Sequence, residues 1–122
     1  MSGGAFRPAP VKEPVTVDAL ERLDIRVGRI ERVEEVSGSA KLLKLVVNFG
    51  DHRRNILAGM KQERADPREV EGRQALFVVN LAPRRMAGEV SEGMLFDLGY
   101  ADGLAPALAV PEREVPDGTR AG

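Results

Sequence analysis

The sequence predicts an all-β domain: a small barrel of five strands with one short helix between the third and fourth. A short N-terminal helix and a C-terminal extension flank it. Three observations predict this. Aliphatic and β-branched runs of strand length recur at 25–36, 42–49, 54–58, 74–81 and 94–98. Turn-forming clusters such as Ser37-Gly38-Ser39 and Gly50-Asp51 separate the first three. Between the third and fourth runs, Asp66-Pro67-Arg68-Glu69-Val70 carries helix-start chemistry: an N-cap acid followed by proline at the first helical position.

Taken in order, residues 1–14 contain Gly3, Gly4, Pro8, Pro10 and Pro14 and read as a flexible leader ahead of a domain spanning 15–122. Thr16 and Asp18 are helix-start residues for a short turn through Ala19, Leu20 and Leu23. In the first strand, β-branched residues stand at 25, 27, 30, 33 and 36. The spacing starts at two and then slips, so a bulge or sharp coil is expected near Gly28. Gly72 closes the small helix. The fourth strand, Gln74 to Leu81, leads into the Pro83–Gly88 loop that holds Arg84 and Arg85. Met94 to Leu98 is the fifth strand. A strand-like Ala107 to Val110 and a terminal turn, Val115-Pro116-Asp117-Gly118, complete the chain.

Composition narrows the function. The 122 residues are 43% hydrophobic, enough for one packed core. Only 4% are aromatic, so Val, Leu, Ile and Ala must fill it. With no cysteine and one histidine, His52, neither thiolate catalysis nor a zinc site is expected, and no cofactor is implied. No apolar run approaches the roughly 18 residues that span a bilayer, and no secretion signal opens the chain; a cytoplasmic protein without a membrane partner is expected. Net charge is −1, but its distribution is uneven. Residues 22–94 carry fourteen basic and eleven acidic side chains, whereas residues 95–122 carry two and five. The motifs described next lie in the positive middle.

Those motifs are Asp24-Ile25-Arg26-Val27-Gly28 and the stretch Asn80-Leu81-Ala82-Pro83-Arg84-Arg85-Met86-Ala87-Gly88-Glu89-Val90-Ser91-Glu92-Gly93-Met94. Adjacent guanidinium groups suit phosphate recognition because each forks onto two oxygens, although an arbitrary Arg-Arg is more often a solvated loop pair. Gly88-Glu89-Val90-Ser91-Glu92-Gly93 is one residue too long for a nucleophile elbow, and no catalytic residues emerge. Arg26 alternates with Ile25 and Val27 and faces away from the core, either to pair with an acid or to line a ligand face.

In these strings the chain resembles the tRNA-binding domain built on the OB fold. That domain occurs as a free-standing dimer, as the C-terminal appendage of methionyl-tRNA synthetases, in the phenylalanyl-tRNA synthetase β subunit, and in the CsaA-type export chaperone. The resemblance covers about residues 15 to 120. Ala58-Gly59-Met60-Lys61 is closer to the tRNA-binding form, whereas Asn48-Phe49-Gly50 leans toward the chaperone. The first hairpin, Val36 to Leu42, keeps only Lys41-Leu42 of the family's pattern.

The resemblance implies a non-catalytic homodimer that recognises folded tRNA, with an aminoacyl-tRNA synthetase as a further partner; the alternative is a CsaA-like chaperone for unfolded preproteins. The RNA-binding residues it implies are Lys41, Lys61, Asn80, Arg84, Arg85, Ser91 and Met94. For Asn80 a strand-end cap is an equal alternative, and Glu92 is expected to organise its loop. Phe49, Phe77 and Phe96 are expected in the core, which leaves Tyr100 as the best exposed ring, in an acidic tail. Recognition by shape and phosphate is therefore expected over stacking. With about five phosphate contacts, log affinity should fall against log salt with a slope near −4.

Overall fold

A computed structural model describes residues 6–122; residues 1–5 of the expected leader lie outside the described residues. Residues 6–14 are exposed and form neither helix nor strand. The chain then forms helix α1 (Val17–Glu21) and strands β1 (Ile25–Glu35), β2 (Leu43–Asn48), β3 (Arg53–Ala58) and β4 (Gln74–Val78). Six shorter strands follow: β5 (Arg84–Met86), β6 (Glu89–Ser91), β7 (Met94–Leu95), β8 (Asp97–Leu98), β9 (Ala107–Leu108) and β10 (Arg120–Ala121).

The main sheet is antiparallel in the order β3-β2-β1-β4-β7, with β10 added to β1. Strand β1 organises it by serving two neighbours in succession. Ile25 to Arg29 pair with β4, and Arg29 to Glu35 pair with β2, so Arg29 is the residue at which the partner changes. The register against β2 shifts between Ile30 and Arg32, a bulge at Glu31 that bends the strand. The bulge falls three residues beyond Gly28, where the slip in the spacing led it to be expected. Gly28 contributes separately: a Cβ there would lie 2.5 Å from Val47 Cγ1 and 2.7 Å from Phe49 Cε1. The coil of β1 thus brings β2 side chains against bare backbone.

The curled sheet encloses a core of Ile30, Val33, Leu45, Val47, Phe49, Ile56, Val70 and Phe77, with Phe49 and Phe77 edge-to-face at 5.5 Å. The barrel closes where the chain around Ser91 meets the edge of β3. Glu92 N donates to Asn55 O at 2.9 Å, and Leu57 N donates to Ser91 Oγ at 3.0 Å. An OB-like barrel results, differing in detail from the expected one.

The differences have local causes. Strand β4 ends at Val78 rather than Leu81. The expected fifth strand breaks at Phe96, because Leu95 pairs back to Phe77 while Asp97 pairs forward to Leu108; Phe96 itself is only half-buried. The helix between β3 and β4 is a single 3₁₀ turn, Pro67–Val70, with Asp66 accepting from Arg68 N as the N-cap signal requires. Arg84 and Arg85 lie not in a loop but in hairpin β5–β6, whose two turn residues Ala87 and Gly88 have φ of 50° and 80°. That is the two-residue left-handed turn that matches strand twist. In the C-terminal extension, the Gln74 amide bonds Val115 in both directions, Arg29 bonds Asp117 and Glu114, and Gly118 N donates to Val27 O. The extension is thereby strapped across β1 and β4.

Candidate nucleic-acid interface

The hairpin β5–β6 carries two cations because a turn of left-handed residues folds Arg84–Met86 back on Glu89–Ser91, opposing Arg84 to Ser91 and Arg85 to Val90. Successive strand residues face opposite ways, so Arg84 and Arg85 serve different faces of the hairpin. Arg84 lines an open groove of about 860 Å³ that also receives Lys41, Met86 and Tyr100. Lys41 reaches it from the β1–β2 connection. There Ser39 Oγ accepts from the backbone N–H groups of Lys41 and Leu42, and Lys61 N bonds Lys41 O at 3.0 Å. The structure therefore brings Lys41 and Arg84 together from residues 43 positions apart. Both are exposed, as is Arg85.

None of these three cations has a carboxylate within 4 Å among the described residues. Many other cations of the barrel are committed. Arg26 forks onto Asp24 at 2.8 and 3.0 Å, and Arg53 pairs with Glu31. Arg54 donates to the carbonyls of Val79 and Glu92 and to His52 Nε2. The hydrogen bond from Arg26 holds the Asp24 carboxyl below the usual carboxylate range, and that from Arg53 does the same for Glu31. Arg68, Arg73 and Arg120 also lack acidic partners but do not line this groove.

Four expected site residues have other surroundings. Lys61 Nζ is 2.6 Å from Glu35 Oε1, an ion pair that offsets its charge. Asn80 spends its amide internally: Oδ1 accepts from Asp24 N at 2.7 Å and Nδ2 donates to Arg22 O at 2.8 Å, tying the end of β4 to the approach to β1. Ser91 is buried, accepting from Leu57 N and donating to Gly93 O at 3.0 Å. Met94 is exposed on β7 but does not line the groove. Glu92 organises the loop as expected, its Oε1 accepting from Asn55 N at 2.9 Å. Gly93 is needed for space rather than backbone freedom, since a Cβ would stand 2.8 Å from Val78 O.

The groove also contains Tyr100, the ring expected to be exposed, and two acids that the sequence did not single out. Tyr100 begins a 3₁₀ turn between β8 and β9, framed by Gly99 and Gly103, both with positive φ, and the residue is 68% exposed. Glu63 and Asp97 line the same groove; burial and the neighbouring Asp97 push the Glu63 carboxyl up. Glu63 stands 34 residues before Asp97 and 37 before Tyr100, so no local motif brings it to them. Tyr100 was expected as the exposed ring by elimination of the strand phenylalanines, but its place beside Lys41 and Arg84 was not legible. Val17, Leu20, Leu23, Ile25 and Leu76 line a second groove, and the first three are exposed. Among the described residues no group of His, Cys, Asp and Glu could hold a metal ion, and no helix is long and apolar enough to cross a membrane.

A small OB-like barrel that presents cations without carboxylate partners on a hairpin has the build of a binding module. Residues 25–120 match the model of the tRNA binding domain family, and the chain belongs to that family. Among solved structures it is similar to a MetRS-related protein from Pyrococcus horikoshii, with 35% identity and a TM-score of 0.82 over 91% of this chain and all of that one. It is also similar to CsaA chaperones. The one from Picrophilus torridus has 26% identity and a TM-score of 0.77 over 89% of this chain and all of that one. The one from Bacillus anthracis str. Ames has 27% identity and a TM-score of 0.76 over 90% of this chain and all of that one.

Proposed function

We propose that this protein is a non-catalytic binder of folded tRNA that works through domain 15–122 as a homodimer. The observation that carries the reading is the unpaired cationic set Lys41, Arg84 and Arg85 on one hairpin and the adjoining turn, within a family of tRNA-binding domains. Uncommitted guanidinium groups give up no internal ion pair when they take a phosphate. Because the arginines face opposite ways on the hairpin, the phosphates they take belong to separate strands or a bend, which suits a folded RNA better than a straight one. Lys61 stays with Glu35 and joins them only where that ion pair is removed. Asn80 and Ser91 act by holding the scaffold, and Met94 supplies an apolar edge beside it. A synthetase acting on the same tRNA fits this role as a partner in trans.

The apolar groove around α1 supports the dimer. Val17, Leu20 and Leu23 are exposed side by side with Ile25 and Leu76, a surface that a second copy would cover. Light scattering at micromolar concentration should give twice the 13.2 kDa chain mass. The same apolar surface, with the likeness to CsaA chaperones, favours a second reading as a binder of unfolded polypeptide.

Competition separates the two. Fluorescently labelled tRNA bound to the protein is challenged with unlabelled tRNA, RNA duplex and an unfolded polypeptide at low and high salt. On the first reading tRNA competes best and salt abolishes binding. Binding of polypeptide that survives high salt, with tRNA unable to displace it, establishes the chaperone reading instead.

A further inference from the structure

We propose that the groove between hairpin β5–β6 and the Tyr100 turn takes one unpaired nucleotide of the bound RNA, its base stacked on Tyr100 and its phosphate held by Lys41 and Arg84. The inference rests on the tRNA-binding reading and names the part of the RNA that this groove receives. Three observations carry it. Tyr100 is 68% exposed and lines the groove together with Lys41 and Arg84, so an aromatic platform and a phosphate clamp face one volume of about 860 Å³. Exposed aromatics beside such cations are how proteins hold single-stranded bases, because every base has a π-face. Gly99 and Gly103, at φ of 100° and 70°, fix the turn that presents the ring.

The third observation decides between a nucleotide and a run of phosphates. Glu63 and Asp97 line the same groove. Two carboxyl groups would repel a sugar–phosphate backbone laid along it. They match the N–H donors on the edges of an unpaired base. A backbone on the cationic rim, with one base turned inward over Tyr100 toward the acids, satisfies all five side chains. A base inside a duplex has its faces covered by its stacked neighbours and its Watson–Crick edge engaged by its partner, so a duplex interior cannot occupy the groove in this way.

Tyr100 is the chain's only tyrosine, and there is no tryptophan, so its ring signals need no assignment against other tyrosines. Protein with isotope-labelled tyrosine is titrated with a single-stranded RNA hexamer, the same sequence as a blunt duplex, and tRNA, while ring-proton shifts are followed. The hexamer and tRNA should move the ring resonances upfield, as a stacked base does; the duplex should not. Tyr100→Ala should weaken tRNA binding about 5- to 100-fold and Tyr100→Phe less than about threefold, the spread expected of one stacked base. Both changes are at an exposed position, and a thermal melt checks that each variant is folded. The inference is overturned if tRNA binds with no shift of the Tyr100 ring, or if Tyr100→Ala binds it as well as wild type; tRNA binding itself then stands. If wild-type protein binds no tRNA, the functional reading fails, and a hexamer that still shifts the ring shows that the groove's preference survives independently.

Discussion

Replacing both Arg84 and Arg85 with alanine tests how many phosphates this surface grips. The site that the family resemblance implies gives about five phosphate contacts and a salt slope near −4. The structure shortens that count, because Lys61 is engaged with Glu35 and most barrel arginines are paired. At this surface three cations have no carboxylate within 4 Å among the described residues: Lys41, Arg84 and Arg85. At about 0.7–0.9 per phosphate the slope should be about −2 to −3 per protomer, flattening to about −0.8 in the double variant. Raising potassium chloride from about 50 to about 300 mM should then weaken wild-type binding about 70-fold and variant binding only about fourfold. At fixed moderate salt the loss should be about 30- to 1000-fold, taking about 1–2 kcal/mol for each exposed charge-assisted contact. Fluorescence anisotropy of labelled tRNA across a salt series measures both quantities. A variant slope within about 0.5 of wild type would sink the reasoning, as would a wild-type slope near −4, since other cations would then be holding the RNA.

Four further outcomes follow from the same geometry. Glu35→Gln releases Lys61 and should steepen the slope by about one and tighten tRNA binding several-fold; unchanged affinity would place Lys61 outside the contact. Gly28→Ala forces a methyl group to within 2.5 Å of Val47 Cγ1, so denaturant titration should show a loss of about 1–3 kcal/mol with the m-value kept. Ala87→Asn places a residue tolerant of positive φ in the hairpin turn and should add about 0.5–1 kcal/mol in the same assay; a loss would contradict the turn assignment. Glu63 holds its proton more tightly when folded, through burial and then Asp97, so its ionisation costs stability as pH rises through its folded-state value. Glu63→Gln should therefore melt higher than wild type at pH 7, and that advantage should vanish by about pH 4, below the unfolded carboxyl's value.

Much of the architecture was legible from local pattern. Runs of Val, Ile and Leu at strand length located β1 to β4, and Asp66-Pro67 located the 3₁₀ turn, because side-chain alternation and capping act within a few residues. The hairpin carrying Arg84 and Arg85 was not legible as strands, since three-residue strands hold too few apolar positions to show a period, and Pro83 and Gly88 read as loop. The break at Phe96 was equally hidden, because it arises from Leu95 and Asp97 pairing with different distant strands.

By itself, then, the sequence determined the kind of fold, the family and the short cationic string, all consequences of residue type and close spacing. Tertiary structure decided which of those residues are available. It folded Glu35 onto Lys61, buried Ser91 beneath Leu57 N and spent the Asn80 amide on Arg22 and Asp24. It also set Tyr100, Glu63, Lys41 and Arg84 around one groove. Those pairings depend on where the coiled β1 carries its neighbours in space, and spacing along a chain does not encode distance across a barrel.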